Sequence, residues 1–469
     1  MSTKDSVDLS GNFSGPDGKA IAENHNLAKI GFKERIGYGV GDLASNLIWT
    51  AAGTFLSFYY TDVIGLSAGA IGTLLLIARV FDGIVDLGVG ALVDKTKSRY
   101  GKARPWLLWG AIPFGVAGVL LFSVPNIGAT GALIYAYITY LIMNIVYSAI
   151  NVPYGVLNSL LTQDSYERSL LNIYRMVMAY SGAILVTFLT MPLINLFGGG
   201  KSGWIFTFVL FAILAVASFL TTFATTKERV KPSVVQKEIP FKRAVRGLFR
   251  NKYWGLMLGF VVTFFIGFGI ITGMNVYFTQ YILKDSGLVG LIGMATLVPI
   301  LGGLFIIAPF IKRYGKRNTA MVGSIITIVG SLIIAINPDN LSVVLTGIII
   351  RSIGTMPIHA SIFAMLADTV DYGEWKTGMR TEGLVYSAGS LGTKAGSGLG
   401  AAFIGWGLAL GGYVGGQDTI SSTAHTAIQF LFIYLPAIMA ILQIIILWFY
   451  KLDKSYPQMI KELEAVRTN

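Results

Sequence analysis

The chain has 469 residues, 54% of them hydrophobic and 13% charged, which is about half the charged fraction of an ordinary soluble protein. Its long apolar runs exclude a globular soluble domain, and the lack of any cysteine excludes disulfides, thiolate metal sites and cysteine nucleophiles. The formal net charge is +12, but the basic residues cluster in short loops with no aromatic-interleaved basic surface, which argues against a nucleic-acid partner.

Residues 1–30 are polar and mixed in charge. They lack the basic start and short apolar core of a signal peptide and are expected to form a flexible cytoplasmic tail. Twelve apolar spans follow, at 37–60, 67–93, 104–124, 131–158, 169–197, 203–224, 251–282, 286–311, 318–337, 341–367, 382–412 and 424–450. Each reaches the ~20 residues needed to cross a bilayer, and the longer ones are expected to tilt or protrude. The predicted fold class is an all-α membrane protein with twelve transmembrane helices. Two six-helix halves, 31–224 and 251–450, flank a basic central loop at 225–250 that carries Pro232 and Pro240, and a cytoplasmic tail occupies 451–469.

The second span holds Arg79-Val80-Phe81-Asp82-Gly83-Ile84-Val85-Asp86. One ionisable residue at the middle of such a helix costs about 2.5–3.5 kcal/mol on insertion scales. Asp82 and Asp86 lie one turn apart on one face, so that face is expected to line a polar cavity and bind a proton or a metal cation. A structural pair neutralised by Arg79 and Lys394 is the plainer alternative. After the second span comes Asp94-Lys-Thr-Lys-Ser-Arg-Tyr-Gly-Lys-Ala-Arg104, and after the eighth Ile311-Lys-Arg-Tyr-Gly-Lys-Arg317. The repeated Tyr-Gly-Lys points to duplicated halves. Basic residues crowd alternate loops and the intervening loops are nearly bare, so the positive-inside rule places the basic loops and both termini in the cytoplasm. Six plus six spans with a basic central loop is the major facilitator architecture, whose substrate site lies between the halves.

Six motifs in order carry a more specific resemblance: Tyr38–Asn46, Tyr59–Leu66, Arg79 with Asp82 and Asp86, Asp94–Trp106, Asn151-Val-Pro-Tyr154, and Ala367–Lys376. Together they resemble the glycoside–pentoside–hexuronide cation symporters, from about Phe32 to the end of span twelve. The resemblance implies that Asp82 and Asp86 form the cation site, lined by Tyr147 and Ser148. It implies substrate contacts for Asn46, Asn151, Tyr154, Arg175 and Lys394. His359 falls where the family's melibiose permease has a pocket tryptophan. Arg168, Asp368, Asp371, Arg380 and Glu382 are implied to close a cytoplasmic gate, with an ordinary solvated loop as the alternative. Asn46 and Asn151 stand where that permease has aspartates, and Gly155 follows Tyr154 where it has a tryptophan. The glucuronide and xyloside carriers look closer.

The expected activity is import of a glycoside of the glucuronide, xyloside or galactoside class by cation symport, at the plasma membrane, with no bond broken. There is no P-loop. The expected partners are the glycoside, the coupling cation and membrane lipid, with no obligatory protein partner and no cofactor. The coupling ion is expected to be a proton rather than sodium, because Val85 stands where the melibiose permease places an asparagine oxygen between its aspartates. Sodium coupling within the same family, a lipid or amphiphile carrier, and a non-transporting membrane sensor are the rival readings.

Overall fold

The computed structural model of the protein describes residues 30–162, 164–230, 247–378, 382–417 and 419–468. Among the described residues, all the regular secondary structure is helical. The first six helices are α1 (Phe32–Phe58), α2 (Ala68–Lys95), α3 (Arg104–Leu121), α4 (Gly128–Leu161), α5 (Ser165–Leu196) and α6 (Gly200–Thr225). Then follow α7 (Lys252–Gly273), α8 (Asn275–Tyr281), α9 (Val289–Ile306), α10 (Ala308–Tyr314) and α11 (Lys316–Ile336). The last five are α12 (Leu341–Thr377), α13 (Glu382–Leu410), α14 (Ser422–Gln429), α15 (Leu435–Phe449) and α16 (Leu452–Thr468). Among the described residues, 10 helical stretches are long and apolar enough to cross a membrane. They lie in α2–α6, α7 with α8, α9, α11, α12, and α14 with α15.

Helix ends follow local chemistry. Asp164, Asn251, Asn340 and Ser421 cap the starts of α5, α7, α12 and α14 by accepting from backbone N–H groups one to two residues inside. Gly378 ends α12 in the left-handed conformation, its N–H bonded to the Glu374 carbonyl at 2.8 Å. Three expected spans are interrupted. The seventh breaks at Met274, the eighth at Ile307 ahead of Pro309, and the twelfth passes through a π-helical turn at Phe430–Tyr434. The tenth runs ten residues past its expected end, which puts Asp368 and Asp371 on a helix instead of a loop. The expected tail beyond the last span is mostly the helix α16. Residues 1–29 and 231–246, most of the expected first tail and central loop, lie outside the described residues.

Helices α1–α6 pack chiefly on one another, and so do α7–α15. The tightest pair is α11 with α12. There a Cβ on Gly354 would lie 2.5 Å from the Gly323 carbonyl oxygen, and one on Gly330 would lie 2.4 Å from the Arg351 nitrogen. Only glycine permits backbones that close. The two sets meet mainly through α2 against α13 and α5 against α9, and the space between them is the site.

Candidate functional site

A cavity of about 910 Å³ lies between the two sets of helices, large enough for a disaccharide, with walls from α1, α2, α4 and α5 on one side and α7, α9, α12 and α13 on the other. Its lining includes Asn46, Asp82, Asp86, Tyr147, Asn151, Arg175, His359 and Lys394. Eight of the ten side chains expected to bind substrate or cation therefore converge, from helices far apart in sequence.

The two carboxylates on α2 meet Lys394 of α13. Its Nζ lies 2.9 Å from Asp82 Oδ2 and makes a short contact with Asp86 Oδ2. Asp82 is wholly buried; its Oδ1 accepts from the Ser148 hydroxyl at 2.9 Å, and its Oδ2 has the Lys394 charge beside it but no hydrogen bond among the described residues. Asp86 is partly open to the cavity, 29% exposed. Ser148 does not line the cavity itself and reaches it only through Asp82. The basic partner of the two aspartates is Lys394; Arg79 makes no ion pair with them among the described residues. The Arg79 guanidinium lies 4.1 Å over the Trp49 ring, which also stacks on Tyr147 at 3.9 Å. A cation–π contact of this kind shelters a guanidinium from the apolar surroundings.

On the other side of Tyr147, its hydroxyl accepts from Asn151 Nδ2 at 3.0 Å. Asn151 Oδ1 is buried and has no donor among the described residues. Asn46 is more committed: its Nδ2 donates to the Asp42 carbonyl and its Oδ1 accepts from Thr50, both along α1. Arg175 Nε donates to Asp42 Oδ2 at 2.6 Å. Tyr154 is corrected. It is fully buried behind the wall, donates its hydroxyl to the Tyr38 carbonyl at 2.6 Å, and supports the Arg175 guanidinium 4.9 Å over its ring. Its hydroxyl is spent on backbone, so it braces Arg175 and does not face a ligand. His359 stands T-shaped to Phe264 and Phe268, with ring centroids 4.7 and 5.1 Å apart, and its Nε2 is buried and unbonded among the described residues.

One end of the cavity is shut. Asp62, in the π-helical turn Tyr59–Val63 that ends α1, accepts from the Tyr281 hydroxyl in a short bond. It also accepts from the Tyr413 hydroxyl at 2.6 Å and the Gly416 N–H at 3.3 Å. The Tyr277 hydroxyl bonds Ser57 and Thr61 at 3.1 and 2.9 Å in the same layer. At the opposite end, where the basic loops lie, the lining residues Asn172, Met176 and Ser390 are exposed. The cavity is therefore open toward the basic loops.

Three of the expected gate residues, Arg168, Asp368 and Asp371, sit at that open end. Arg168 Nε donates to the Thr162 carbonyl at 2.8 Å. Asp368 is bridged by Lys316 at 2.7 Å, and Asp371 accepts from the Tyr456 hydroxyl of α16 at 2.6 Å. Arg380 and the side chain of Glu382 lie outside the described residues. Sequence reasoning missed Asp42, Trp49 and Asp62 as individual residues. Asp42 stands four residues before Asn46, and Trp49 three after it, on the same helical face. Asp62 stands inside the Tyr59–Leu66 motif.

Residues 37–454 match the family described as MFS/sugar transport protein. The chain is 38% identical to the isoprimeverose transporter of Lactiplantibacillus pentosus, over 93% of this chain and 92% of that protein. It is 34% identical to an inner membrane symporter of Escherichia coli (strain K12), over 89% and 91%. Identity to a glucuronide carrier protein homolog of the same strain is 31%, over 93% and 96%. Its fold resembles the crystal structure of a D-xylose–proton symporter, with a TM-score of 0.64 at 14% identity, covering 91% of this chain and 99% of that one.

Proposed function

Since the chain belongs to the MFS/sugar transport protein family, we propose that it imports a glycoside together with a proton, by alternating access around the cavity. It is a multi-pass membrane transporter and not an enzyme. The observation that carries the coupling is the position of Lys394. Its ammonium joins Asp82 and Asp86 and also lines the cavity that Asn151 and Arg175 line. Protonating Asp86 takes one carboxylate away from that ammonium, which then turns a donor toward a sugar hydroxyl. Sugar and proton each favour the other's binding, and the coupling is reciprocal. A sodium ion needs several hard oxygens, and here an ammonium already occupies the space between the carboxylates while Val85 adds no oxygen. Isoprimeverose, named for the relative in L. pentosus, is the first substrate to try.

The basic loops orient the protein with its open end inward. Helices α1 and α13, of 27 and 29 residues, are each about 40 Å long at 1.5 Å per residue. They complete twelve spans with both termini in the cytoplasm. The gate residues at the open end close it when the Asp62 end opens. The test is uptake into vesicles. Adding isoprimeverose outside should alkalinise the medium, with no stimulation by sodium or lithium. Uptake that follows a sodium gradient and ignores a proton gradient overturns the proton; a panel of glycosides with no uptake at all overturns the substrate.

A further inference from the structure

We propose that the cavity holds a second sugar subsite on its closed-end floor, built around Asn275, which takes the group attached at the anomeric carbon of the glycosyl unit. The inference rests on the reading of the cavity as the glycoside site and assigns the second half of its ligand. Asn275 opens α8, just past the break at Met274, and its side chain lines the cavity while the residue is only 4% exposed. Its Nδ2 donates to the Val289 carbonyl at 3.1 Å. That bond fixes which way the amide points, because the Val289 carbonyl requires a donor. Oδ1 is therefore the free end, and it is buried with no donor among the described residues. A Cβ on Gly293 of α9 would lie 3.7 Å from Asn275 Nδ2, so glycine there keeps the side of the amide clear. The floor adjoins the closed-end layer: Ser57, which lines the cavity, bonds the Tyr277 hydroxyl two residues beyond Asn275.

The neighbouring threonines offer acceptors as well. Thr187, Thr272 and Thr296 line the same cavity, and each hydroxyl gives its proton to a carbonyl one turn back on its own helix, at 2.8, 3.0 and 2.9 Å. Their oxygens keep a lone pair and have no proton left to give. Such a floor suits a ligand that arrives with several hydroxyl donors. An alkyl group would leave the Asn275 acceptor buried and bare. The depth fits a second ring. Asn151 is held by Tyr147, whose ring stacks on Trp49 of α1. A Cβ on Gly273, two residues before Asn275, would lie 3.5 Å from the Gly53 carbonyl oxygen of α1. Trp49 and Gly53 are one helical turn apart, ~5 Å along the axis, which is the step from one pyranose ring to the next. The two bare carboxamide oxygens, of Asn151 and Asn275, thus come from opposite sets of helices and differ in depth by one sugar ring. The glycosyl unit, common to every glycoside, lies with Asn151, one turn from the Ser148 that bonds Asp82. The attached group lies deeper, against Asn275.

The test is binding to the purified full-length protein of two ligands, isoprimeverose, a xylosyl-glucose, and methyl α-D-xyloside, which keeps the xylosyl ring and replaces the glucose by a methyl group. The wild type should bind isoprimeverose at least about tenfold more tightly. Asn275→Ala should weaken isoprimeverose about tenfold and methyl α-D-xyloside less than about twofold, so that the preference collapses. Asn151→Ala should weaken both ligands and keep their ratio near the wild-type value, which separates the two rings. An Asn275→Ala protein that loses affinity for both ligands alike, as loss of the Val289 bond would give, overturns the proposal. So does one that loses affinity for neither, as a water held at Oδ1 would give. If Asn275→Ala does not fold, Thr296→Val decides: it removes one floor oxygen at constant shape and should reduce the preference, and an unchanged preference overturns the proposal. A wild type that binds the two ligands equally well removes the subsite and leaves the glycoside reading standing. A wild type that binds neither removes the glycoside reading itself, and the proposal with it.

Discussion

At the scale of single residues, an unmet bond is more informative than a met one. Asn151 gives Nδ2 to Tyr147 and keeps a buried Oδ1 with no donor among the described residues. A buried acceptor left bare costs about 1–3 kcal/mol, so a ligand hydroxyl that reaches it gains that much. Asn151→Ala should therefore weaken glycoside binding about tenfold or more and leave thermal stability within a degree or two, as read by ligand titration and melting curves. Wild-type affinity in the variant counts against Asn151 as a ligand. The two carboxylates differ in the same way. Asp82 is sealed between Ser148 and Lys394, and Asp86 is open to the cavity. Asp86→Asn should abolish uphill accumulation while sugar exchange across the membrane continues. Accumulation at the wild-type level would remove Asp86 from the coupling step.

At the scale of helices, glycine placement sorts into positions that need it and positions that do not. Between α11 and α12, a Cβ added to Gly354 would lie 2.5 Å from the Gly323 carbonyl oxygen and 2.5 Å from the Thr327 nitrogen, so an added methyl meets backbone that cannot move alone. Overpacking of this kind costs about 1–3 kcal/mol, and Gly354→Ala should lower the melting temperature by several degrees. Gly155 on α4 has open space where a Cβ would go. Gly155→Ala should be neutral or stabilising by up to ~1 kcal/mol from helix propensity alone. Equal melting temperatures for the two variants would refute the contact argument. The π-helical turn at Phe430–Tyr434 has its own support: the fully buried Arg351 donates to the Phe432 carbonyl at 2.9 Å, with its guanidinium 4.8 Å over the Phe432 ring. That turn frees a backbone acceptor, and a buried guanidinium satisfies it.

At the scale of the whole molecule, one carboxylate ties the two sets of helices together at the closed end. Asp62 takes two tyrosine hydroxyls and a backbone N–H from across the interface. Opening that end means breaking all three bonds together. Asp62→Asn weakens each of them, because a neutral acceptor binds less strongly than a charged one, so the variant should populate the outward-open state more. The absence of cysteine makes this simple to read. With Ala401→Cys as the sole thiol in the cavity, a membrane-impermeant maleimide added outside should label the Asp62→Asn protein several-fold faster than its Asp62 counterpart. Equal labelling rates would show that the bonds at Asp62 do not hold the closed end.

Hydropathy and the period of the α-helix are local properties, and they determined most of the helical spans, the pairing of Asp82 with Asp86 on one face, and the basic end of the bundle. The motif resemblance added the set of side chains that meet in the cavity. Their partners depend on packing between helices that no local pattern encodes. Lys394 bonds a carboxylate 308 residues earlier in the chain, Arg175 pairs with Asp42 across 133 residues, and Asp62 finds Tyr413 across 351. For the same reason Tyr154, which carries every sequence mark of a ligand, lies behind the wall: its ring and hydroxyl are directed by α1, and only the assembled bundle shows which face of α4 meets α1 and which meets the cavity. The breaks at Met274, Ile307 and Phe430 were hidden too, since apolar composition runs unbroken through a bend. Burial in a bilayer is read one residue at a time; a pair of charges is decided only when two helices arrive at the same depth, facing each other.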